Sequence, residues 1–199
     1  YDDQKAADKS DTAFAAFLTA LSLWNSERAA QGNISIDNIH LLIHSMGTRV
    51  FNKALKLFNS EQENIDKLVK NVFLVAPDIV KDALEPDQEA HQLTQAADDV
   101  VVYYAVDDLA MSASELANLK HGITKGRLGK KGIADIEKVA GNVFQVNCRH
   151  FNNHFEYIIG HRYFILDRER NVSPVIFHIA DAIKNGAVTP NVRNYVLKT

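Results

Sequence analysis

The sequence predicts an α/β fold: a mostly parallel sheet covered by helices on both faces. Three observations carry this. Short apolar runs recur along the chain, helical periodicity fills the stretches between them, and each run is cut by turn-forming or charged residues. Strands buried on both faces read as continuous apolar runs. Strands that alternate with helices imply parallel pairing with helical crossovers.

The elements follow in order. Residues 8–31 read as one amphipathic helix, with Phe14, Phe17, Leu18, Leu21 and Trp24 at three- and four-residue steps on one face. That stripe is expected to pack on a core, and Gly32-Asn33 supplies the stop. Residues 38–43 (Asn-Ile-His-Leu-Leu-Ile) form a buried-strand candidate, followed by His44-Ser45-Met46-Gly47 and then by helical spacing of Val50, Phe51, Ala54, Leu55 and Phe58. Residues 71–76 are a second strand, stopped by Pro77-Asp78. A helical stretch broken at Pro86 is expected after it. Residues 100–105 are a third strand, ended by Asp107-Asp108, and residues 109–119 suit a helix. The basic, glycine-punctuated segment 122–132 holds Arg127-Leu128-Gly129, and its charge reads as a solvated surface. Residues 142–146 are a fourth strand, a histidine-rich stretch follows, and residues 174–184 make the last long helix.

Length and composition fit one domain over residues 1–199. The chain has 199 residues, 46% apolar and 24% charged, enough to bury a core without disulfides or metal. A net charge of -3 offers no basic surplus for nucleic acid. The single cysteine, Cys148, excludes an intrachain disulfide and a cysteine-based zinc cluster, and reads as a small buried hydrophobe. No apolar run approaches the roughly 20 residues of a membrane span. No charged-then-apolar targeting segment is present, and no compartment follows from the sequence.

Sites in parallel sheets lie beyond the carboxyl ends of the strands. The residues there are His44 and Ser45, Pro77 and Asp78, Asp107 and Asp108, and the segment 148–161. A serine hydrolase needs a serine, a histidine to take its proton and a carboxylate to hold the histidine. The order serine, acid, histidine suits a nucleophile on a strand-to-helix turn. Ser45, the post-strand aspartates and His161 fall in that order. The usual turn is Gly-x-Ser-x-Gly. Here Gly47 is present, but Ile43 replaces the first glycine, so the turn must find room another way. The rivals stay open on spacing alone: Asp78, read as a helix N-cap after Pro77, Asp107, and His150 and His154. The last two form an i,i+4 pair with no carboxylate at metal-ligand spacing. His40 sits mid-strand and reads as a packed core or surface residue, while His44 flanks the nucleophile and is expected to line the pocket.

Several segments together resemble a bacterial family of α/β-hydrolases of unknown function, in the esterase/lipase superfamily. They are Ile39-His40-Leu41-Leu42-Ile43-His44-Ser45-Met46-Gly47-Thr48-Arg49, Val75-Ala76-Pro77-Asp78, Tyr104-Ala105-Val106-Asp107-Asp108-Leu109-Ala110-Met111, Arg127-Leu128-Gly129 and Gly160-His161-Arg162-Tyr163-Phe164. The resemblance implies an α/β-hydrolase-like fold with Ser45 as nucleophile, Asp108 as acid and His161 as base. It also implies a small-molecule acyl substrate, with the Met46 N–H as one oxyanion donor and no cofactor. No His-Gly segment precedes Ser45 to supply the second donor; the one His-Gly is His121-Gly122, downstream.

Folds of this class place strands before the nucleophile strand, and the chain, which does not begin with Met, offers a helix there. It is therefore expected to be the C-terminal part of a longer domain, lacking the N-terminal strands and inclined to self-associate through an exposed sheet edge. A hydrolase-fold binding module without chemistry is the main alternative. A nucleotide-binding domain is a third reading, but it lacks a glycine-rich phosphate loop.

Overall fold

A computed structural model of the chain describes residues 10–32, 39–60, 67–120, 122 and 124–198. The expected helix start at residue 8, the Asn33 stop, the first residue of the 38–43 strand and His121 lie outside the described residues. In chain order the elements are α1 (Asp11–Ala30), β1 (His40–His44), α2 (Gly47–Ser60), β2 (Val69–Val75), β3 (Ala97–Tyr104), α3 (Leu109–Leu119), α4 (Leu128–Lys131), β4 (Val143–Asn147), α5 (Asn152–Phe155), α6 (Pro174–Asn185) and β5 (Asn194–Val196). Short 3₁₀ turns lie at His91–Thr94 and Ile136–Lys138.

The five strands form one all-parallel sheet in the order β1-β2-β3-β4-β5. Side chains alternate across a strand, so each strand feeds two cores. Val72, Leu74, Val100, Val102 and Val143 face one apolar cluster with Leu18 of α1 and Phe51, Leu55 and Phe58 of α2. Phe73, Val75, Val101, Tyr103, Phe144 and Val146 face the other, with Val175, Ile179 and Ala182 of α6. Both faces are covered, as the continuous apolar runs predict. Register aligns the carboxyl ends: His44 stands beside Val75, Val75 beside Tyr103, and Tyr103 beside Val146.

Four expectations need correction. The aromatic stripe of α1 is only half buried: Leu18 is in the core and Phe14 packs against it, but Phe17 and Trp24 are 50% and 42% exposed. Arg28 lies over the Trp24 ring instead. No α-helix follows Pro77. Successive i→i+3 turns run through this segment, with Ala83 N–H donating to Val80 O, Glu85 to Asp82 and Gln88 to Glu85. Pro86 has no N–H to continue a helix and biases Glu85 away from helical backbone. Asp78 is therefore no helix cap. Nor is the 122–132 segment merely a solvated loop: Arg127 is buried, and residues 128–131 form α4. Finally, β5 was not foreseen. It has three residues and an exposed-intermediate-exposed pattern, too short and too polar to stand out.

Candidate active site

The candidate site lies where the strands end. Ser45 follows β1 directly and precedes α2, with φ 53. That is left-handed backbone, which a non-glycine residue adopts only where its surroundings impose it. Three hydrogen bonds do so. Ser45 N–H donates to Val75 O at 3.0 Å, and Ser45 O accepts from Thr48 N–H at 3.1 Å and from Asp78 N–H at 3.2 Å. Ile43, in place of the usual glycine, points into the core. Gly47 lies against it: a Cβ there would meet Ile43 Cγ2 at 3.4 Å, an ordinary van der Waals contact. Among the described residues none accepts from the Met46 N–H, a donor at the start of α2 left open beside the serine.

The turn is braced from behind. An added Cβ on Gly129 would lie 2.4 Å from the Ala76 carbonyl carbon, so only glycine lets α4 approach this closely. Gly129 N–H donates to Pro77 O at 2.9 Å, and Leu128 N–H to Ile79 O at 2.8 Å. The Arg127-Leu128-Gly129 segment thus clamps the residues that follow β2.

Asp108 caps α3. Its Oδ1 accepts from Met111 N–H at 2.9 Å, and its Oδ2 accepts from His161 Nδ1 at 2.7 Å. The Asp108 side chain is 0% exposed and that of His161 14%. A carboxylate oxygen can only accept, so this bond holds the proton on Nδ1 and leaves Nε2 to act as acceptor. Asp107 points elsewhere: its Oδ2 accepts from Asn153 Nδ2 at 2.8 Å. Asp78 sits apart, accepting from Ser114 Oγ at 2.7 Å and pairing with Arg127. Of the three aspartates, Asp108 is the one in contact with His161.

The segment carrying His161 is tied down at several points. Gly160 has φ +61, and a Cβ there would lie 2.5 Å from Asn152 Nδ2 and Asn153 Oδ1. Glu156 Oε2 accepts from the backbone N–H groups of His161 (2.9 Å) and Arg162 (2.7 Å), while Oε1 accepts from Arg162 Nε at 2.6 Å. Burial works to raise the Glu156 carboxyl, but these bonds outweigh it and hold the group below the ordinary range. Buried Tyr163 donates its hydroxyl to Tyr103 O at 3.0 Å, anchoring the segment to the end of β3. Leu109 N–H donates to Ile159 O at 3.0 Å, joining the acid's loop to the histidine's. Sequence reasoning missed Glu156 and Tyr163 in these roles. No spacing rule marks a carboxylate five residues before a histidine, although Tyr163 lies in a segment already singled out.

His44 links the two halves. Its ring centroid is 4.6 Å from that of His161 and 4.8 Å from that of Phe164, and its Nε2 lies 3.4 Å from His161 O. Burial, with the His161 ring beside it, lowers the His44 imidazole to about 4. It is therefore neutral at pH 7. Among the described residues no hydrogen bond joins Ser45 Oγ to His161.

The remaining candidates stand outside this arrangement. His40 Nδ1 is hydrogen-bonded to Asn71 Nδ2 at 3.1 Å. His154 pairs with Asp167 at 3.5 Å, and His150 lies beside Arg149. Among the described residues no group of three or more histidine, cysteine or acidic side chains could hold a metal ion. Cys148 is fully buried, and burial pushes its thiol well above the ordinary value. Among the described residues no helix is long and apolar enough to cross a membrane.

The five-stranded parallel sheet covered by helices on both faces, with a strand-to-helix turn at Ser45, is the architecture of the α/β-hydrolase class. The family model described as an alpha/beta hydrolase of unknown function (DUF900) matches residues 1–166, and the chain belongs to that family. Comparison with curated proteins gives no match, and comparison with solved structures gives none either.

Proposed function

We propose that this protein is a serine hydrolase acting on a carboxylic ester or related acyl substrate. The observation that carries the reading is the 2.7 Å bond between fully buried Asp108 and His161 Nδ1, at the same carboxyl end of the sheet as the left-handed Ser45 turn. In this reading Ser45 Oγ attacks the acyl carbon while His161 Nε2 takes its proton, and Asp108 stabilises the imidazolium that forms. The Met46 N–H donates to the developing oxyanion. His161 then protonates the departing alcohol, and water, activated by the same imidazole, releases the acid. Neutral His44 adds no positive charge beside the base, so it does not oppose protonation of His161. Leu109 and Ile159 are about half exposed, at 49% and 46%, beside the Asp108–His161 pair, and suit an apolar acyl or alcohol group.

The alternative is a hydrolase-fold binding module without chemistry. The missing bond between Ser45 Oγ and His161 favours it, although such bonds are often long before substrate arrives. A fluorophosphonate probe separates the two. The wild-type protein is expected to label covalently, and Ser45→Ala to lose the label with unchanged circular dichroism. Labelling that persists at full yield in Ser45→Ala would remove Ser45 from the mechanism; no labelling of either would leave the binding module.

A further inference from the structure

Three segments singled out in the sequence converge on a place the hydrolase reading does not use: Thr48-Arg49, Pro77-Asp78 and Arg127. Their Arg49, Asp78 and Arg127 meet around a polar cavity of about 170 Å³ between α2, the 78–80 segment and Asn118 of α3. Arg127 is 4% exposed. Its Nε lies 3.2 Å from Asp78 Oδ1, an oxygen that already accepts from Ser114 Oγ. Yet among the described residues neither Nε nor Nη2 of Arg127 has a hydrogen-bond partner, and both atoms are buried.

A buried guanidinium with unfilled donors is costly, because its hydrogen bonds to water are gone and, among the described residues, only the ion pair with Asp78 offsets the loss. The fork of an arginine matches two oxygens on one centre, the geometry of a carboxylate or phosphate group. Arg49 and Lys53 of α2 line the same cavity, so cationic side chains outnumber the carboxylates of Asp78 and Glu89 on its wall. The volume suits a small anion and not a drug-sized ligand, which needs roughly 300 Å³ or more.

We propose that this cavity is a binding site for a small oxyanion, a carboxylate or phosphate group, held by the Arg127 guanidinium. The site is independent of Ser45 chemistry, but it adjoins the turn: the Asp78 whose carboxylate pairs with Arg127 also donates its N–H to Ser45 O.

A buried arginine Nε–H exchanges slowly enough to be followed by ¹⁵N NMR. Titrating the protein with inorganic phosphate and, separately, with acetate at constant ionic strength is expected to move the Arg127 Nε–H resonance saturably, while chloride leaves it in place. Response to phosphate alone, or to acetate alone, identifies which oxyanion the site prefers. Arg127→Lys keeps the charge and loses the fork, and is expected to weaken binding about tenfold or more, read from the midpoint of amide shifts around Asp78. Should that variant fail to fold, Arg49→Gln tests the same wall and is expected to raise the midpoint several-fold. No saturable shift with either anion, a shift that chloride reproduces, or a midpoint unmoved in the folded variants would each overturn the proposal.

Discussion

At the scale of single residues, the three aspartates part company by what they touch. Asp108 holds His161 from a fully buried position, so Asp108→Asn is expected to lower turnover by something like the ~10⁴-fold seen for the acid of a Ser-His-Asp triad. Asp78→Asn should instead cost stability, because it strands buried Arg127; breaking one partner of a buried pair costs about 3–5 kcal/mol. Urea unfolding and ester turnover on both variants check this, and a larger turnover loss in Asp78→Asn would reverse the assignment. His44 gives a pH prediction. Its imidazole titrates near 6.5 when unfolded and at about 4 when folded, so between those values the unfolded chain binds more protons. Stability should therefore fall as pH drops from 6.5 toward 4 and be unaffected by this group above 6.5. His40 and His178 are lowered as well, so the readout is the difference from His44→Gln, in which the fall should be shallower. An identical pH dependence in that variant would show that the folded protein tolerates a charged His44.

At the scale of elements, what was legible followed from pattern strength. β2, β3 and β4 are long buried runs, and α3 runs over 109–119 as its spacing predicts. The Ser45 turn was readable because Ser-x-Gly sits between a strand and a helix. The choice of Asp108 over Asp107 was not readable from spacing, since neighbouring residues differ only in which way the backbone turns them. The Asp78–Arg127 pair was invisible because the two residues come from different loops, and a basic stretch ordinarily faces water. Gly160 directly precedes His161, and its role was not legible from spacing. Its φ of +61 is left-handed backbone that strains any residue with a Cβ, directly before the imidazole. Gly160→Ala is expected to displace His161 and break its bond to Asp108. The readouts are loss of the low-field Nδ1 proton resonance in the NMR spectrum and a drop in ester turnover. Retention of both would mean that the segment can shift without moving the ring.

At the scale of the whole molecule, the described strands end in two edges, β1 and the short β5. β2, β3 and β4 each have two neighbours, whereas β1 pairs with β2 on one edge and, among the described residues, with no strand on the other. Ile39 O accepts from Lys70 N–H and Ser45 N–H donates to Val75 O, so these residues turn their backbone groups toward β2. The alternate residues His40, Leu42 and His44 turn theirs outward. Leu42 is 43% exposed and puts an apolar side chain beside that row of groups, which no described strand pairs. Native edges are usually blunted with charge, proline or a covering segment, and β1 carries no lysine or proline. We propose that a second copy of the chain pairs there. Sedimentation equilibrium is expected to show a dimer that dissociates on dilution. Leu42→Pro removes an outward-facing donor, which an edge strand tolerates, and is expected to give a monomer with an unchanged far-ultraviolet spectrum. The two copies would meet at the strand that delivers Ser45, so dilution through the dimer midpoint should also change the rate of fluorophosphonate labelling. A wild-type protein that stays monomeric at every concentration would show that this edge is silent in solution.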